Sequence, residues 1–542
     1  MAIEKALSSN IRFLLLEADT QLMLLQTYLR EEDASLIQRM TERSAYAYNL
    51  NLRIQNNYME QMSTQGESDS MTFRTLATIS SEIIRLTDLS RECLLQWANL
   101  GEQHQLDLAC YHSPIQHIRK SIHLIENALL HRDTRLALQI SLSERKLSQQ
   151  CKKLLKIYTK KLRHKKYTDD LLTGLFSTRT LAQIGDILLR ISESIISNNL
   201  GQPMDIQRFH ALQETVAAWK GEDVIEHMDI QSIAETRSGS GISSLQDRDK
   251  KQPLVIYKDG DKRKLKKELQ GAEIWQRAYP GLAPRIFAYH SRGEGASLVI
   301  EHLRGMTFEK IVLHEPVYIM TEALKALGKT LNGVWGEGQS KRPKRAEFVR
   351  QTRKRLADVY AVHPSFRHKK SELCGKKIAS FESLLQAAEK IEKELAVPRS
   401  VLIHGDFNID NILYDPKHQR IHFIDLHRST YMDYVQDISV FMVSHYRLQV
   451  FDASQRRRIR KQACDFYRIM KKFARKNQDN TFDIRLALGL ARSFATSTRF
   501  ILDPLMAQRM FLRARYLLEQ VIACDPNQVE SYQLTIKELF SD

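Results

Sequence analysis

The sequence predicts two unlike halves, an all-α N-terminal helical bundle followed by an α+β bilobal domain. Three observations carry this. From Ile11 to about Leu200, apolar residues recur at helical spacing between short polar breaks. Near Met228 the pattern changes to strands and Gly/Ser turns. Between Val401 and Val440 the chain reads as strand, polar loop, strand, with carboxylates at set points. At 542 residues the chain exceeds one hydrophobic core, so several domains are expected.

In the bundle, Ile11, Leu14, Leu15, Leu22, Leu25 and Leu29 share one helix face, as do Leu76, Ile79, Ile83, Leu86 and Trp97. Ile115, Ile118, Ile122, Ile125 and Leu129 keep a heptad, and so do Leu181, Ile184, Leu188, Ile191 and Ile195. Ser113-Pro114 reads as an N-cap followed by proline in the first turn. Polar breaks fall at Ser63 to Ser70 and at Lys165 to Asp170. Long helices joined by short turns pack as antiparallel neighbours. A helical hairpin plus a third helix, ending near Trp97, is echoed by a second set ending near Ile195. Each unit is about 90 residues, which is repeat scale. The expected domains are a bundle over 1–200, a helical linker over 201–227, a β-rich lobe over 228–305 and a helical lobe over 306–542.

The β-rich lobe opens with a strand, a Gly/Ser turn and a strand. Gly239 and Gly241 in that turn would let backbone amides approach a phosphate closely. An apolar strand carrying Lys258 follows, and then a helix over Lys262 to Tyr279. A lysine turned inward there can neutralise nucleotide phosphates but needs a carboxylate to hold it. Glu268 is the first choice for that carboxylate and Glu273 the second. Two more strands follow, and then helices over Tyr318 to Trp335, Lys344 to Val362 and Ile378 to Leu395.

The stretch from Val401 holds His404-Gly405-Asp406, then Asn411 and, after a hairpin turning at Asp415-Pro416-Lys417-His418, Ile424-Asp425. Phosphoryl transfer needs positioning, a divalent cation and a group that deprotonates the acceptor hydroxyl. Asp406 at the head of the loop suits the proton acceptor. Asn411 and Asp425 offer oxygens to Mg²⁺, a hard cation. Asp437 is placed to hold the backbone of the loop. This order of residues points to ATP and Mg²⁺ as cofactors.

These motifs resemble the aminoglycoside phosphotransferase and choline kinase superfamily, which shares the protein-kinase-like fold. The resemblance spans about Ile230 to Tyr516. It implies Asp406 as catalytic base, Asn411 and Asp425 as metal ligands, and Lys258 with its partner Glu268 at the ATP phosphates. Glu301 to Leu303 would lie at the adenine edge, where the chain passes between lobes. It also implies a small-molecule hydroxyl acceptor. Leu426-His427-Arg428 departs from the usual pattern and is similar to lipopolysaccharide-core heptose kinases, which hints at an anionic sugar. The first half resembles the PhoU family of tandem three-helix bundles, on Leu181-Ala182-Gln183-Ile184-Gly185-Asp186. That family has a glutamate where Ala182 stands, and Ile84 takes the same place in the first unit. Asp88 and Asp186 remain, so metal binding there stays open. A homodimer, or a partner protein docked on the helices, is the expected role of this half.

Composition bounds the rest. Apolar residues are 43% and charged residues 27%, a soluble globular balance. The N-terminus has no signal-peptide pattern, so a cytoplasmic protein is expected. Six cysteines lack zinc or C-x-x-C spacing and read as reduced thiols. The net charge of +17 gathers at Lys152 to Lys166, Lys341 to Arg355 and Arg456 to Lys476. These runs read as solvated helix faces, and nucleic acid is not expected as a partner. The rivals to an enzyme reading are a nucleotide-binding regulator of phosphate signalling without turnover and a protein kinase.

Overall fold

The computed structural model describes residues 2–64, 70–101, 103–200, 203–220, 228–235, 241–247, 255–337, 339–340, 343–367, 371–373 and 375–541. It separates into two compact units, Met1–Arg237 with Gly241–Gln252, and Ser238–Ser240 with Pro253–Asp542.

The first unit is led by two three-helix sets: α1 (Ala2–Glu31), α2 (Ser35–Thr64) and α3 (Ser70–Ala98), then α4 (His112–Leu130), α5 (Thr134–Leu162) and α6 (Thr168–Leu200). Each helix packs on the other two of its set, and α1 meets α4 while α3 meets α6 across the pair. The expected stripes are the reason. Ile11, Leu14, Leu22 and Leu25 are buried, as are Ile115, Ile118, Ile122, Ile125 and all five members of the Leu181–Ile195 set. The α3–α6 contact carries a two-pronged ion pair, with Arg190 Nε and Nη2 donating to Glu82 at 2.8 and 2.9 Å. Tyr111 is fully buried, and its hydroxyl donates to the Gly174 carbonyl at 2.9 Å. That hydroxyl also lies 3.1 Å from both Tyr158 Oη and Thr178 Oγ1.

One cap differs from expectation. The chain enters α4 from a 3-10 turn, Leu108–Tyr111, whose own cap is Asp107, accepting from the Ala109 amide at 3.1 Å. The helix therefore starts at His112. Ser113 sits inside the first turn, where its hydroxyl accepts from Gln150 Nε2 at 2.9 Å, and Pro114 keeps its first-turn place. A seventh helix, α7 (Ile206–Lys220), follows. β1 (Met228–Glu235) and β2 (Gly241–Asp247) then form an antiparallel hairpin. Both strands fall within the first unit.

The second unit opens with an antiparallel sheet ordered β3 (Val255–Asp261), β5 (Gly295–Glu301), β4 (Ile286–Arg292). Between β3 and β4 runs α8 (Lys262–Ala278), capped by Asp261, which accepts from the Lys264 amide at 2.9 Å. Leu265, Glu268, Ala272 and Trp275 form its buried face, at the spacing of one helix stripe.

A helical part follows: β6 (Met306–Thr307), α9 (Phe308–His314), α10 (Val317–Glu337), β7 (Gln339–Ser340), α11 (Phe348–Val362), the hairpin β8 (Ser371–Leu373) and β9 (Lys376–Ile378), and α12 (Phe381–Glu394). The stretch from Val401 onward, with the residue before it, supplies β10 (Ser400–Ile403), β11 (Ile412–Asp415), β12 (Arg420–Phe423) and β13 (Thr430–Met432). β10 lies between β13 and β7, and β11 between β12 and β6. Behind these strands stand α13 (Val435–Tyr446), α14 (Ala453–Lys476), α15 (Phe482–Ser497), α16 (Pro504–Ala523) and α17 (Ile536–Leu539). Every residue from Phe482 to Thr496 in α15 is buried, so this helix is a core strut rather than an amphipathic surface helix. Arg485 fixes its start. The buried guanidinium lies 2.5 Å from Asp433 and also pairs with Asp479. A further close approach, of α15 to α13 and α11, occurs at Gly489 beside Ser439 and Phe348.

Among the described residues, no helix is long and apolar enough to cross a membrane. Cys93, Cys110, Cys151, Cys464 and Cys524 are free thiols, and Cys374 lies outside the described residues.

Candidate active site

The loop that carries Asp406 is built by the strand before it and the helix behind it. Asp437, in the first turn of α13, is 1% exposed. Its two carboxylate oxygens accept the amides of His404 at 2.7 Å and Gly405 at 2.9 Å. Burial, only partly offset by those amides, pushes its pKa up to about 7. Gly405 has φ +81, and a Cβ there would collide with the Arg428 carbonyl, so only glycine fits. His404 is buried. Its Nδ1 accepts the Asp406 amide at 3.3 Å, so the proton sits on Nε2, which donates to the Ile424 carbonyl at 2.9 Å. Burial lowers its pKa and keeps it neutral, in agreement with that tautomer. His404 thereby ties the Asp406 end of the loop to the Asp425 end.

Asp406 is partly exposed. One oxygen accepts from Asn408 Nδ2 at 2.9 Å, and the other lies 3.2 Å from Arg428 Nη1. Asn411 donates Nδ2 to the Asp406 carbonyl at 2.9 Å, which makes its Oδ1 the atom available to a cation. Asp425 follows β12 with φ +61, a left-handed conformation that a non-glycine residue adopts at a cost. His427 Nδ1 lies 3.0 Å from its Oδ1. Burial works to raise the Asp425 pKa, but His427 and the Lys258 ammonium outweigh it and hold the carboxyl well below the usual carboxylate range. Two oxygen donors, one fully ionised, suit Mg²⁺.

Lys258 and Glu268 meet as anticipated. Both are buried, with Nζ 2.5 Å from Oε1. Burial favours the neutral amine, yet Glu268 and Asp425 overcome it and raise the Lys258 pKa. Glu268, not Glu273, is thus the carboxylate that holds the lysine. Glu301 closes β5, and its carboxylate accepts the Arg285 amide at 3.1 Å. Leu303 lies half-buried in the connector beyond. Gly241 pairs with Glu235 in the β1–β2 hairpin, and Gly239 lies outside the described residues.

The sequence reading missed several residues. Gly271 lies on α8 three residues past Glu268, and a Cβ there would strike the Leu426 carbonyl, so helix and Asp425 loop are in backbone contact. Trp275 strengthens that contact, donating Nε1 to Ser429 Oγ at 2.9 Å. Asn408, on Asp406, is itself held by Arg447 Nη2 at 3.2 Å. Arg355, Arg492 and Arg499 also act on the Asp406 carboxylate. Asn408 apart, no short motif marks these positions; tertiary packing brings them in from α8, α11, α15, the residue after α13 and the 3-10 turn Thr498–Phe500. Among the described residues, no group of three or more His, Cys, Asp or Glu side chains is placed to hold a metal ion.

No curated protein matches the chain. Among solved structures it is similar to an aminoglycoside phosphotransferase from Streptomyces rimosus, at 18% identity over 53% of this chain and 98% of that one, with TM-score 0.36. It is similar to a choline kinase from Cryptosporidium parvum, at 15% identity over 56% and 93%, with TM-score 0.35. It is also similar to PhoU from Pseudomonas aeruginosa, at 16% identity over 37% and 99%, with TM-score 0.36. Across residues 255–473 the chain matches the model of the phosphotransferase enzyme family.

Proposed function

We propose that the second unit is an ATP- and Mg²⁺-dependent O-phosphotransferase acting on a small-molecule alcohol. The observation that carries this is the convergence of Asp406, Asn411 and Asp425 with the buried Lys258–Glu268 pair, all within the family match. When bound, ATP with Mg²⁺ supplies the phosphoryl group and screens its charge. Asp406 takes the acceptor's proton, with Asn408 fixing one of its oxygens. Asn411 Oδ1 and Asp425 offer oxygens to the cation, and Asp437 holds the loop rigid through its amides. Lys258, steadied by Glu268, faces the phosphates. Glu301 and Leu303 border the adenine.

In this reading 228–305 and 306–542 are the two lobes, 201–227 links them to the bundle, and 1–200 regulates the enzyme or mediates dimerisation. The protein works in the cytoplasm, where ATP is supplied. The test is labelled-ATP turnover against a metabolite mixture. Asp406→Ala should abolish transfer while ATP binding survives. Binding without transfer by the native chain would instead favour a nucleotide-sensing regulator, and label on protein would favour a protein kinase.

A further inference from the structure

Four guanidiniums act on the Asp406 carboxylate: Arg428 lies 3.2 Å from it, and Arg355, Arg492 and Arg499 interact with its charge. Arg355 comes from α11, Arg428 from the loop after Asp425, Arg492 from α15 and Arg499 from the 3-10 turn Thr498–Phe500. Arg355, Arg492 and Arg499 each feel Arg428 and the Asp406 carboxylate, and Arg355 also lies in the fields of Arg492 and Arg499. Acidic groups facing them are few. Asp358 lies 3.7 Å from Arg499, Asp406 is shared, and Asp437 is already bound to two loop amides.

Arg492 is the informative member. It is 5% exposed, and its Nε and Nη2 have no hydrogen-bond partner. A buried lysine can shed its proton, but a guanidinium keeps its charge; Asp406, Asp437 and the Phe348 ring face this one, while the two buried donors stay unsatisfied. The two open atoms form one edge of the guanidinium, the edge that docks side-on against a carboxylate or phosphate. Nothing flexible put it there. Arg485 anchors the start of α15, and the close approach at Gly489 sets its middle.

We infer that the acceptor is an alcohol bearing an oxyanion, phosphate or carboxylate, which Arg355, Arg492 and Arg499 hold while its hydroxyl faces Asp406. This rests on the phosphotransferase reading above. In the step, the bond between the γ-phosphorus of ATP and its bridging oxygen breaks and ADP leaves with the electron pair. The acceptor oxygen bonds to phosphorus, and its proton passes to Asp406. Polycationic aminoglycosides and quaternary ammonium alcohols would meet like charge at this face, so they are poor acceptors here.

The test gives the full chain Mg²⁺, γ-labelled ATP and a bacterial metabolite extract split by ion exchange into cationic, neutral and anionic fractions. Label should enter products of the anionic fraction. Phosphatase pretreatment of that fraction should abolish this for a phosphate group and leave it for a carboxylate. Label confined to the neutral or cationic fraction overturns the inference and spares the phosphotransferase reading; label in no fraction removes both. Arg355→Gln and Arg492→Gln should raise the acceptor concentration for half-maximal rate about 10- to 100-fold, with the value for ATP unchanged. An unchanged acceptor value in Arg355→Gln overturns the inference, even if Arg492→Gln does not fold. With ADP and Mg²⁺ saturating, inorganic phosphate should raise the melting temperature of the native chain but not of Arg355→Gln. An equal rise in both also refutes it, and no rise in the native chain refutes the phosphate form.

Discussion

Replacing Lys258 by methionine separates what the buried ion pair does for folding from what it does for chemistry. At 2.5 Å, with an effective dielectric of about 20, the attraction between Lys258 and Glu268 is roughly 7 kcal/mol before desolvation. Desolving both ions takes back most of that, so the intact pair adds little net stability. Removing the lysine alone is different. Glu268, 4% exposed, keeps its burial and loses its partner, and Asp425 loses a neighbouring cation. The expected cost is about 3–5 kcal/mol. Lys258→Met with Glu268→Leu should recover at least about 2 kcal/mol, because no charge is orphaned at that position. Both variants should lose turnover by about 100-fold or more, since the cation aimed at the phosphates is gone in each. Urea titration reads the stabilities and ADP release reads the turnover. A double variant no more stable than the single one, or a single variant that loses less than about 1 kcal/mol, would refute the reasoning.

Other expectations are as direct. A Cβ at Gly271 would collide with the Leu426 carbonyl, so Gly271→Ala should cost about 1–3 kcal/mol and cut turnover. Gly333→Ala, at an open position on α10, should be neutral or stabilise by up to about 1 kcal/mol. Urea midpoints compare the two. His445 is buried, and burial holds its pKa down to about 4 from 6.5, against a hydrogen bond to Phe441 that works the other way. The unfolded chain therefore binds a proton that the folded chain refuses, so stability is full above pH 6.5 and falls as pH drops toward 4, by up to about 3 kcal/mol. His445→Leu should flatten that slope in urea titrations across this range. In the bundle, Tyr111→Phe removes the hydroxyl shared by Tyr158, Thr178 and the Gly174 carbonyl, which keep their other partners, and should cost about 1 kcal/mol by thermal unfolding of the full chain.

The parts of the site that read clearly from sequence are those where chemistry and chain order coincide. Asp406, Asn411 and Asp425 lie within twenty residues of each other on one loop and hairpin, so local geometry brings them together. Lys258 and Glu268 are ten residues apart on a strand and the next helix, and Glu268 falls on the buried stripe beside Leu265. Arg355 and Arg492 gave no such signal. Arg355 lies in a basic run that resembles any solvated helix face. Arg492 sits in a helix buried on all sides, where no polar stripe marks an inward charge. Ser113 misled because a 3-10 turn upstream, capped by Asp107, moved the start of α4 back to His112. The tandem three-helix pattern was plain because long amphipathic helices repeat one stripe many times, whereas a cap depends on a single residue.

The contact between Gly271 and Leu426 also bears on how such an enzyme can be switched. With the backbone of α8 pressed on the Asp425 loop and Trp275 bonded to Ser429, α8 has no room to swing or rotate about its axis. The helix that carries Glu268 and the loop that carries Asp425 are therefore packed backbone to backbone. Under the proposed phosphotransferase function, an input that turns the site off would act by denying entry to nucleotide or acceptor, or by tilting the proposed lobes about the Glu301–Leu303 connector, because separating Lys258 and Glu268 from Asp425 would mean peeling the helix from the loop.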